Sequence, residues 1–345
     1  MDKHIMVTGA AGFIGASLCR RLLAEKRYDK VIGIDNLNDY YDPALKRSRL
    51  QELQDPRFVF VQGDIADAEC IGEIMETYHP EVIVNLAAQA GVRYSAEHPE
   101  VYMHSNITGF FTILEAARKY SVSHLVYASS SSVYGMRNDP PFSAQDRTDH
   151  PESFYAATKA ADELMAYAYS KTFGIPMTGC RFFTAYGPAG RPDMAYFKFS
   201  DILQRGGTIS LYNYGKCQRD FTYIDDIIDA VARIIEHAPE TDANGVPHVL
   251  YNVGGGRPVG LEDFTRILFE KLQKYGVLPK DMVLEDHIER VPMQKGDVEL
   301  TCADTRDLEE TFGVVPAVTI TEGLDRFACW YASYIRQRQE SQYCL

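Results

Sequence analysis

Tyr155 and Lys159 stand four residues apart in FYAATKAADELMAYAYS, residues 154–170. The composition predicts a helix there, and the spacing puts both side chains on one face of it. A phenol alone titrates at about 10. A neighbouring ammonium favours the phenolate and lowers that value. A phenolate formed near neutral pH can take a proton from an alcohol while hydride leaves the same carbon. Tyr-x-x-x-Lys also occurs on many helices with no such role, so the surroundings decide. Upstream, YASSSSVYG at 127–135 sets four serines, Ser129 to Ser132, between an apolar run and a Tyr-Gly. Hydroxyls donate and accept hydrogen bonds but supply no acid or base near neutral pH. The plain alternative for the run is a strand end whose serines cap the following turn, and that reading suits Ser129.

A base that releases hydride needs an acceptor. In HIMVTGAAGFIGASLCRRLL, residues 4–23, Gly9, Gly12 and Gly15 form G-x-x-G-x-x-G between an apolar run and an amphipathic stretch. Glycines there allow a tight turn, close approach of backbone to a pyrophosphate, and close helix–sheet packing; an ordinary strand-to-helix turn is the alternative. Asp35 ends a second strand, KVIGIDN at 30–36, 20 residues beyond Gly15. An acid at that place can bind both ribose hydroxyls and repels a 2′-phosphate, which favours NAD over NADP; a turn residue is the simpler reading. Asp64, at the end of a third strand FVFVQGDI (58–65), either reaches the adenine or caps the helix beginning ADAECIGEI. The candidate cofactor set is completed by Phe13, Ile14, Asn36, Asn38, Ile65, Leu86, Ala87 and Ala88.

The elements that must position these groups follow from the pattern. Further strands are expected at EVIVNLAA (81–88), from HLVYASSSS at 124, and at MTGCRFF (177–183), with helices such as ILEAARKY (113–120) between them. Val- and Ile-rich strands alternating with helices predict an α/β fold: a doubly wound parallel sheet of the Rossmann, NAD-binding kind. After residue 184 the texture changes, with Pro188, Gly190 and Pro192 followed by a strand-like TISLYNYG (208–215) and helices at 224–237 and 261–275. Residues 1–184 are therefore expected to bind the dinucleotide. Residues 185–345 are expected to form a smaller C-terminal α/β substrate-binding lobe that returns a segment to the first.

The 345 residues are too many for one small core. The net charge is −13 and the pI about 5.2. An acidic chain with no basic run argues against nucleic-acid and membrane-surface binding. Phosphates would be held by helix N-termini and a few placed arginines. Seven scattered cysteines, with no C-x-x-C, read as reduced thiols of a cytoplasmic protein. No apolar run suits a membrane span, and neither a leader nor a metal is expected.

The glycine turn, the serine run and the tyrosine helix, in this order, resemble the extended short-chain dehydrogenase/reductase superfamily. That resemblance implies that Tyr155 is the base and Lys159 lowers its pKa and binds the nicotinamide ribose. Ser130 would bond the reacting oxygen, and NAD would be held tightly and recycled. Related sugar-nucleotide enzymes share oxidation at C4 of the sugar. Dehydratases carry an acid pair, and decarboxylases a glutamate, where Ser131 and Ser132 stand. Hydroxyls alone imply return of hydride to the other face, which is epimerisation.

RFFTAYGPAGRPDMAYFKF (181–199), LNDYYDPALK (37–46), YNYGKCQRDFTYIDDI (212–227) and PMQKGDV (292–298) resemble the UDP-glucuronate 4-epimerases, and the likeness runs from roughly residue 4 to 330. A uronate oxidised at C4 is a β-keto acid, which loses CO2 when the carboxylate bond aligns with the carbonyl π-system. Ser131, Ser132, Thr184 and Arg191 are candidates to hold the carboxylate away from that alignment. The alternatives are a packing residue for Thr184 and a surface-loop arginine for Arg191. The match further implies Arg219 at the pyrophosphate, Asp297 at the uridine ribose, and the Asp193-Met194-Ala195 stretch at the uracil. Gln294 stands where galactose-type epimerases have an arginine. An Arg219 salt bridge to Asp220 or Asp225 is the bland alternative. Asn106 would support Lys159 or simply pack. Relatives pair as homodimers through two helices, here near 100–118 and the Tyr155 helix; the alternative is that these face only the sheet. Epimerisation of a neutral UDP-hexose or UDP-pentose, decarboxylation, and a non-catalytic NAD-binding scaffold remain the competing functions.

Overall fold

The computed structural model describes residues 3–137, 139–293 and 297–343. Twelve strands are present among them: β1 His4–Thr8, β2 Lys30–Asp35, β3 Phe58–Gln62, β4 Val82–Asn85, β5 His124–Ser130, β6 Met177–Phe182, β7 Thr184–Tyr186, β8 Ile209–Leu211, β9 Gln218–Tyr223, β10 His248–Val253, β11 Pro258–Gly260 and β12 Ile288–Arg290. The helices are α1 Phe13–Glu25, α2 Pro43–Gln51, α3 Ala68–Tyr78, α4 Tyr94–Glu97, α5 Pro99–Tyr102, α6 Gly109–Lys119, α7 Phe154–Phe173, α8 Ala195–Gln204, α9 Ile224–Ile235, α10 Leu261–Lys274, α11 Arg306–Phe312 and α12 Ile320–Tyr343.

Seven strands form one sheet in the order β10-β6-β5-β4-β1-β2-β3, parallel throughout. This is a Rossmann-type doubly wound sheet, whose order reverses between β1 and β4. Successive residues serve opposite faces. Ile5 and Val7 of β1 enter the apolar core shared with α1 and α9, while Met6 enters the core built with α3, α6 and α7. The first of these cores continues into the C-terminal half through Phe264, Leu268 and Phe327. β10 and α9 come from the C-terminal half yet lie with the first layer. β10 pairs with β6, and Arg21 of α1 reaches Asp229 of α9 at 3.1 Å. The remaining strands form a three-stranded sheet, β11-β9-β7, and a β12-β8 pair.

Several strands are shorter than the apolar runs that predict them. β3 stops at Gln62, opposite Asp35, and β4 stops at Asn85, opposite Thr8. The partners β2 and β1 end there, and the rest of each run lines the cleft at the sheet's carboxyl edge. Asp64 therefore lies two residues past β3, not at its end. TISLYNYG is a strand only over Ile209–Leu211; Asn213 and Tyr214 turn left-handed, at φ 50° and 53°.

Candidate active site

All the sequence-assigned cofactor and substrate residues line one cleft of about 1160 Å³, at the carboxyl ends of the parallel strands. The glycine turn forms its floor at the switch point. Gly9 has φ +69°, and a Cβ on Gly15 would lie 2.1 Å from the Gly9 carbonyl oxygen. The turn thus closes only with glycine at these places. Gly12 caps α1 with no side-chain acceptor for the first-turn N–H groups. Phe13, Ile14 and Gly15 accordingly present N–H groups with no partner among the described residues, and the positive end of the helix, an arrangement suited to a pyrophosphate.

Asp35 is held at the tip of β2. Its Oδ2 accepts from Ala11 N at 3.1 Å and its Oδ1 from Leu37 N at 2.8 Å. Lys46 stands 4.0 Å away and donates to the Asn38 carbonyl and Oδ1 at 2.9 and 2.8 Å. Asn36 bonds Asp64 Oδ2 at 3.0 Å through its amide and accepts from Asn38 N. Burial would raise the Asp64 carboxyl, but the N–H of Ala66 and the amide of Asn36 hold it below the usual range. The cap of α3 is Asp67, which accepts from Glu69 N and Cys70 N; Asp64 takes no part in it. Ile65 is buried beneath. Leu86, Ala87 and Ala88 continue the wall past β4, with Ala87 N tied to Thr8 Oγ1 at 3.0 Å. The glycine cradle, the uncapped helix end and the carboxylate at the tip of β2 fit a dinucleotide such as NAD.

Ser153 caps α7 by accepting from Ala156 N at 3.1 Å, which places Tyr155 in the first turn. The Tyr155 hydroxyl has no hydrogen-bond partner among the described residues, and its ring meets Tyr102 edge-on at 6.0 Å. One turn on, Lys159 is buried. Its Nζ donates to the Ala128 carbonyl and to Asp162 Oδ2, both at 3.0 Å. Ala128 belongs to the strand that ends at Ser130, so the ammonium is anchored to the element that carries the serines.

The serines divide. Ser130 Oγ accepts from Ser132 N at 3.2 Å and donates to Ser132 Oγ at 3.1 Å, capping the 3₁₀ turn Ser131–Tyr134. Capping was the alternative reading for Ser129, and there the structure corrects it. Ser129 instead donates to Glu163 Oε1 at 2.5 Å. Glu163 is locked bidentately to Arg181 at 2.8 Å, and Arg181 also donates to Tyr134 Oη and the Ala144 carbonyl. Sequence reasoning did not find this buried network. Its members are far apart in the chain, and only Glu163, four residues after Lys159, carries a local hint. Asn106 sits in a π-helical turn, Met103–Thr108, and bonds Gln89 N, the Gln89 carbonyl and Thr158 Oγ1. It supports the helix beside Lys159.

Toward the C-terminal lobe, Thr184 opens β7 in register with Phe221. Arg191 is gripped by Asp193, Nε to Oδ1 at 3.0 Å and Nη2 to Oδ2 at 2.5 Å, and Tyr40 donates to the same carboxylate at 3.2 Å. Burial would raise the Asp193 carboxyl, but Arg191 holds it below its ordinary value. Met194 is the N-cap of α8, which begins at Ala195 and whose first turn lacks a side-chain cap. Arg219 pairs with neither Asp220 nor Asp225. It bonds Asp297 at 2.6 Å and the carbonyls of Gln218 and Glu299. Asp220 is buried and accepts from the N–H groups of Gly255, Gly256 and Ala303. Gln294 lies outside the described residues. Arg93, stacked over Tyr212 at 5.1 Å, lines the cleft where it spans the two halves. The polar AGVRYS after the fourth apolar run was the available sign of it.

A fold with this switch point, glycine turn and Tyr–Lys helix defines a nucleotide-dependent enzyme of the dehydrogenase kind. The chain belongs to the NAD dependent epimerase/dehydratase family, whose model matches residues 5–254. It is 42% identical over 340 residues to UDP-glucuronate 4-epimerase 3 of Arabidopsis thaliana, covering 96% of this chain and 76% of that one. Among solved structures it resembles UDP-glucuronic acid 4-epimerase from Bacillus cereus in complex with UDP-glucuronic acid and NAD, at TM-score 0.83 and 30% identity over 96% and 99% of the two chains. It equally resembles DesIV, a dTDP-glucose 4,6-dehydratase from Streptomyces venezuelae with NAD and TYD bound, at TM-score 0.85 and 29% identity over 97% and 98%.

Proposed function

We propose that the protein is an NAD-dependent UDP-glucuronate 4-epimerase, interconverting UDP-glucuronate and UDP-galacturonate. Fold likeness alone does not separate epimerase from dehydratase, since both kinds match. The observation that carries the reading is the chemistry of the turn facing Tyr155: Ser130, Ser131 and Ser132 present hydroxyls only. The cleft's carboxylates are Asp35, Asp64, Glu97, Glu152, Asp193 and Asp297, none of them in that turn. Names of relatives at about 40% identity point the same way.

Gly9, Gly12, Gly15 and Asp35 would hold NAD, with the remaining cofactor candidates along its path. When bound, NAD supplies the acceptor for hydride from C4 and the donor that restores it. Tyr155 takes the proton of the C4 hydroxyl and later returns it. Lys159 favours the Tyr155 phenolate and positions the nicotinamide ribose. Ser130 bonds the reacting oxygen, for which its hydroxyl must turn away from Ser132. Between the two proton transfers the 4-keto-sugar turns over, so Arg219 and Asp297 hold the UDP part while the sugar end stays loose. Thr184, Ser131, Ser132 and Arg191 hold the uronate carboxylate out of line with the ketone. Arg191 brings no net charge to this task because Asp193 matches it. We assign nucleotide binding to 1–184 and UDP-sugar binding to 185–345, with β10 and α9 returned to the first.

Incubation of purified protein with UDP-glucuronate and no added NAD, followed through the sugar anomeric protons by NMR, tests the reading. UDP-galacturonate is expected. A UDP-pentose instead would mean decarboxylation and would remove the role given to Ser131 and Ser132. No change even with added NAD would shift the case to a neutral UDP-sugar or a non-catalytic protein. We further propose a cytoplasmic homodimer. Unpaired cysteines among the described residues support the compartment. The apolar exposure of α6 and α7 supports the pairing.

A further inference from the structure

Asp162 is a buried carboxylate for which the reaction above has no use. It is 1% exposed. Oδ2 meets Lys159 Nζ at 3.0 Å, and Oδ1 is buried with no hydrogen-bond partner among the described residues. A half-satisfied carboxylate in such a place calls for a reason. We propose that Asp162 is a positioning residue that sets the charge behind Tyr155: ionised, it cancels the ammonium of Lys159; protonated, it leaves that charge to act fully on the phenol. This rests on the reading of Tyr155 as the base.

The surroundings permit the switch. Burial pushes the Asp162 carboxyl up, to about 6, against the downward pull of Lys159, with Glu163 adding to the rise. The other groups facing α7 are committed elsewhere. Glu163 is matched by Arg181 from β6, which also holds Tyr134. Tyr127 of β5 shares a hydrogen bond with His248 of β10, and burial keeps the phenol well above, and the imidazole well below, their ordinary values. On the Tyr155 side stand Tyr102 from α5 and the matched Arg191–Asp193 pair. Lys159 and Asp162 are thus the pair whose balance changes near neutral pH.

As pH falls, Asp162 takes a proton, Lys159 is left unopposed and the phenolate persists to lower pH. One proton is then shared between two groups, and the Tyr155 titration is spread out. With Asp162→Asn the ammonium is never opposed. The Tyr155 titration is expected to move down by about one pH unit and to sharpen to one full proton.

The test is tyrosinate ultraviolet absorbance against pH for wild type and Asp162→Asn, each referenced to its Tyr155→Phe counterpart. It is run beside the acid limb of turnover with UDP-glucuronate. A downward shift by both readouts supports the proposal, whatever the height of the plateau. An unmoved titration overturns it and leaves Asp162 a structural anchor. Should Asp162→Asn not fold, the wild type alone decides: a Tyr155 titration of full one-proton steepness overturns the proposal and a shallower one supports it. A shifted phenol titration in a protein that does not turn over UDP-glucuronate would remove the substrate assignment and leave this inference standing.

Discussion

Tyr155 is exposed to the cleft and structurally idle. Its hydroxyl bonds nothing among the described residues, and its ring needs only its edge-on contact with Tyr102. Tyr155→Phe removes the proposed proton acceptor and little else. Turnover of UDP-glucuronate is therefore expected to fall by about 10³-fold while the melting temperature stays unchanged, both measurable on one preparation. A large drop in melting temperature would mean that the hydroxyl is a structural group. Lys159 differs in kind. It is buried against Asp162 and the Ala128 carbonyl, so removing it also strands a buried carboxylate and confounds catalysis with stability. The pair was legible in the sequence because i and i+4 share a helix face. Asp162 was equally visible at i+3 from Lys159, but nothing in the sequence says that its second oxygen has no partner among the described residues.

At the scale of elements, the glycine turn makes the sharpest demand. A methyl on Gly15 would meet the Gly9 carbonyl oxygen at 2.1 Å and its carbon at 2.8 Å. Backbone cannot yield there as a side chain can, so α1 must move away from β1. Gly15→Ala is expected to lose the NAD carried through purification, seen as a lower ratio of absorbance at the nucleotide and protein bands. Retention of NAD at the wild-type ratio would show that the turn does not hold it. The turn and the sheet were legible because glycine spacing and the alternation of apolar strands with helices are local signals. What was not legible depends on pairing. The run EVIVNLAA gives no sign that β4 stops at Asn85, where its last partners are Thr8 of β1 and Tyr127 of β5. TISLYNYG keeps a strand-like composition through two left-handed residues, where Tyr214 N is held by the Val291 carbonyl from 77 positions on. The Ser129–Glu163–Arg181 network joins three elements and has no local signature.

At the scale of the whole molecule, acid stability and association follow from what is buried and what is not. Burial depresses His124 from 6.5 to about 4, and does the same to His248. Each is neutral in the fold and takes up a proton more readily when unfolded, so each lowers stability as pH falls from 6.5 toward 4, by about 3 kcal/mol at the limit. Asp162 acts in the opposite sense, its folded value of about 6 lying above the usual 3.8, and offsets roughly one of them. The melting temperature is expected to hold above pH 6.5 and fall across that window; a flat profile would contradict the burial of the two imidazoles. The proposed homodimer would rest on the outer face. Among the described residues, six of the ten large apolar side chains left exposed are Met103, Phe111, Phe154, Leu164, Tyr167 and Phe173. All six stand on α6, α7 or the π-helical turn before α6, and Phe111, Tyr169 and Phe173 form a contiguous aromatic run. The inner sides of these helices already cover the sheet through Phe110, Ile113, Leu114 and Ala166, so the outer residues are surplus to the fold. A concentration of apolar surface on one pair of helices marks a protein interface, and two identical pairs can bury each other about a twofold axis. Phe111→Glu with Leu164→Glu is expected to convert a dimer into a monomer of 38.9 kDa in sedimentation equilibrium, with the cleft untouched. A wild type that sediments as a monomer at micromolar concentration would leave this face without the partner assigned to it.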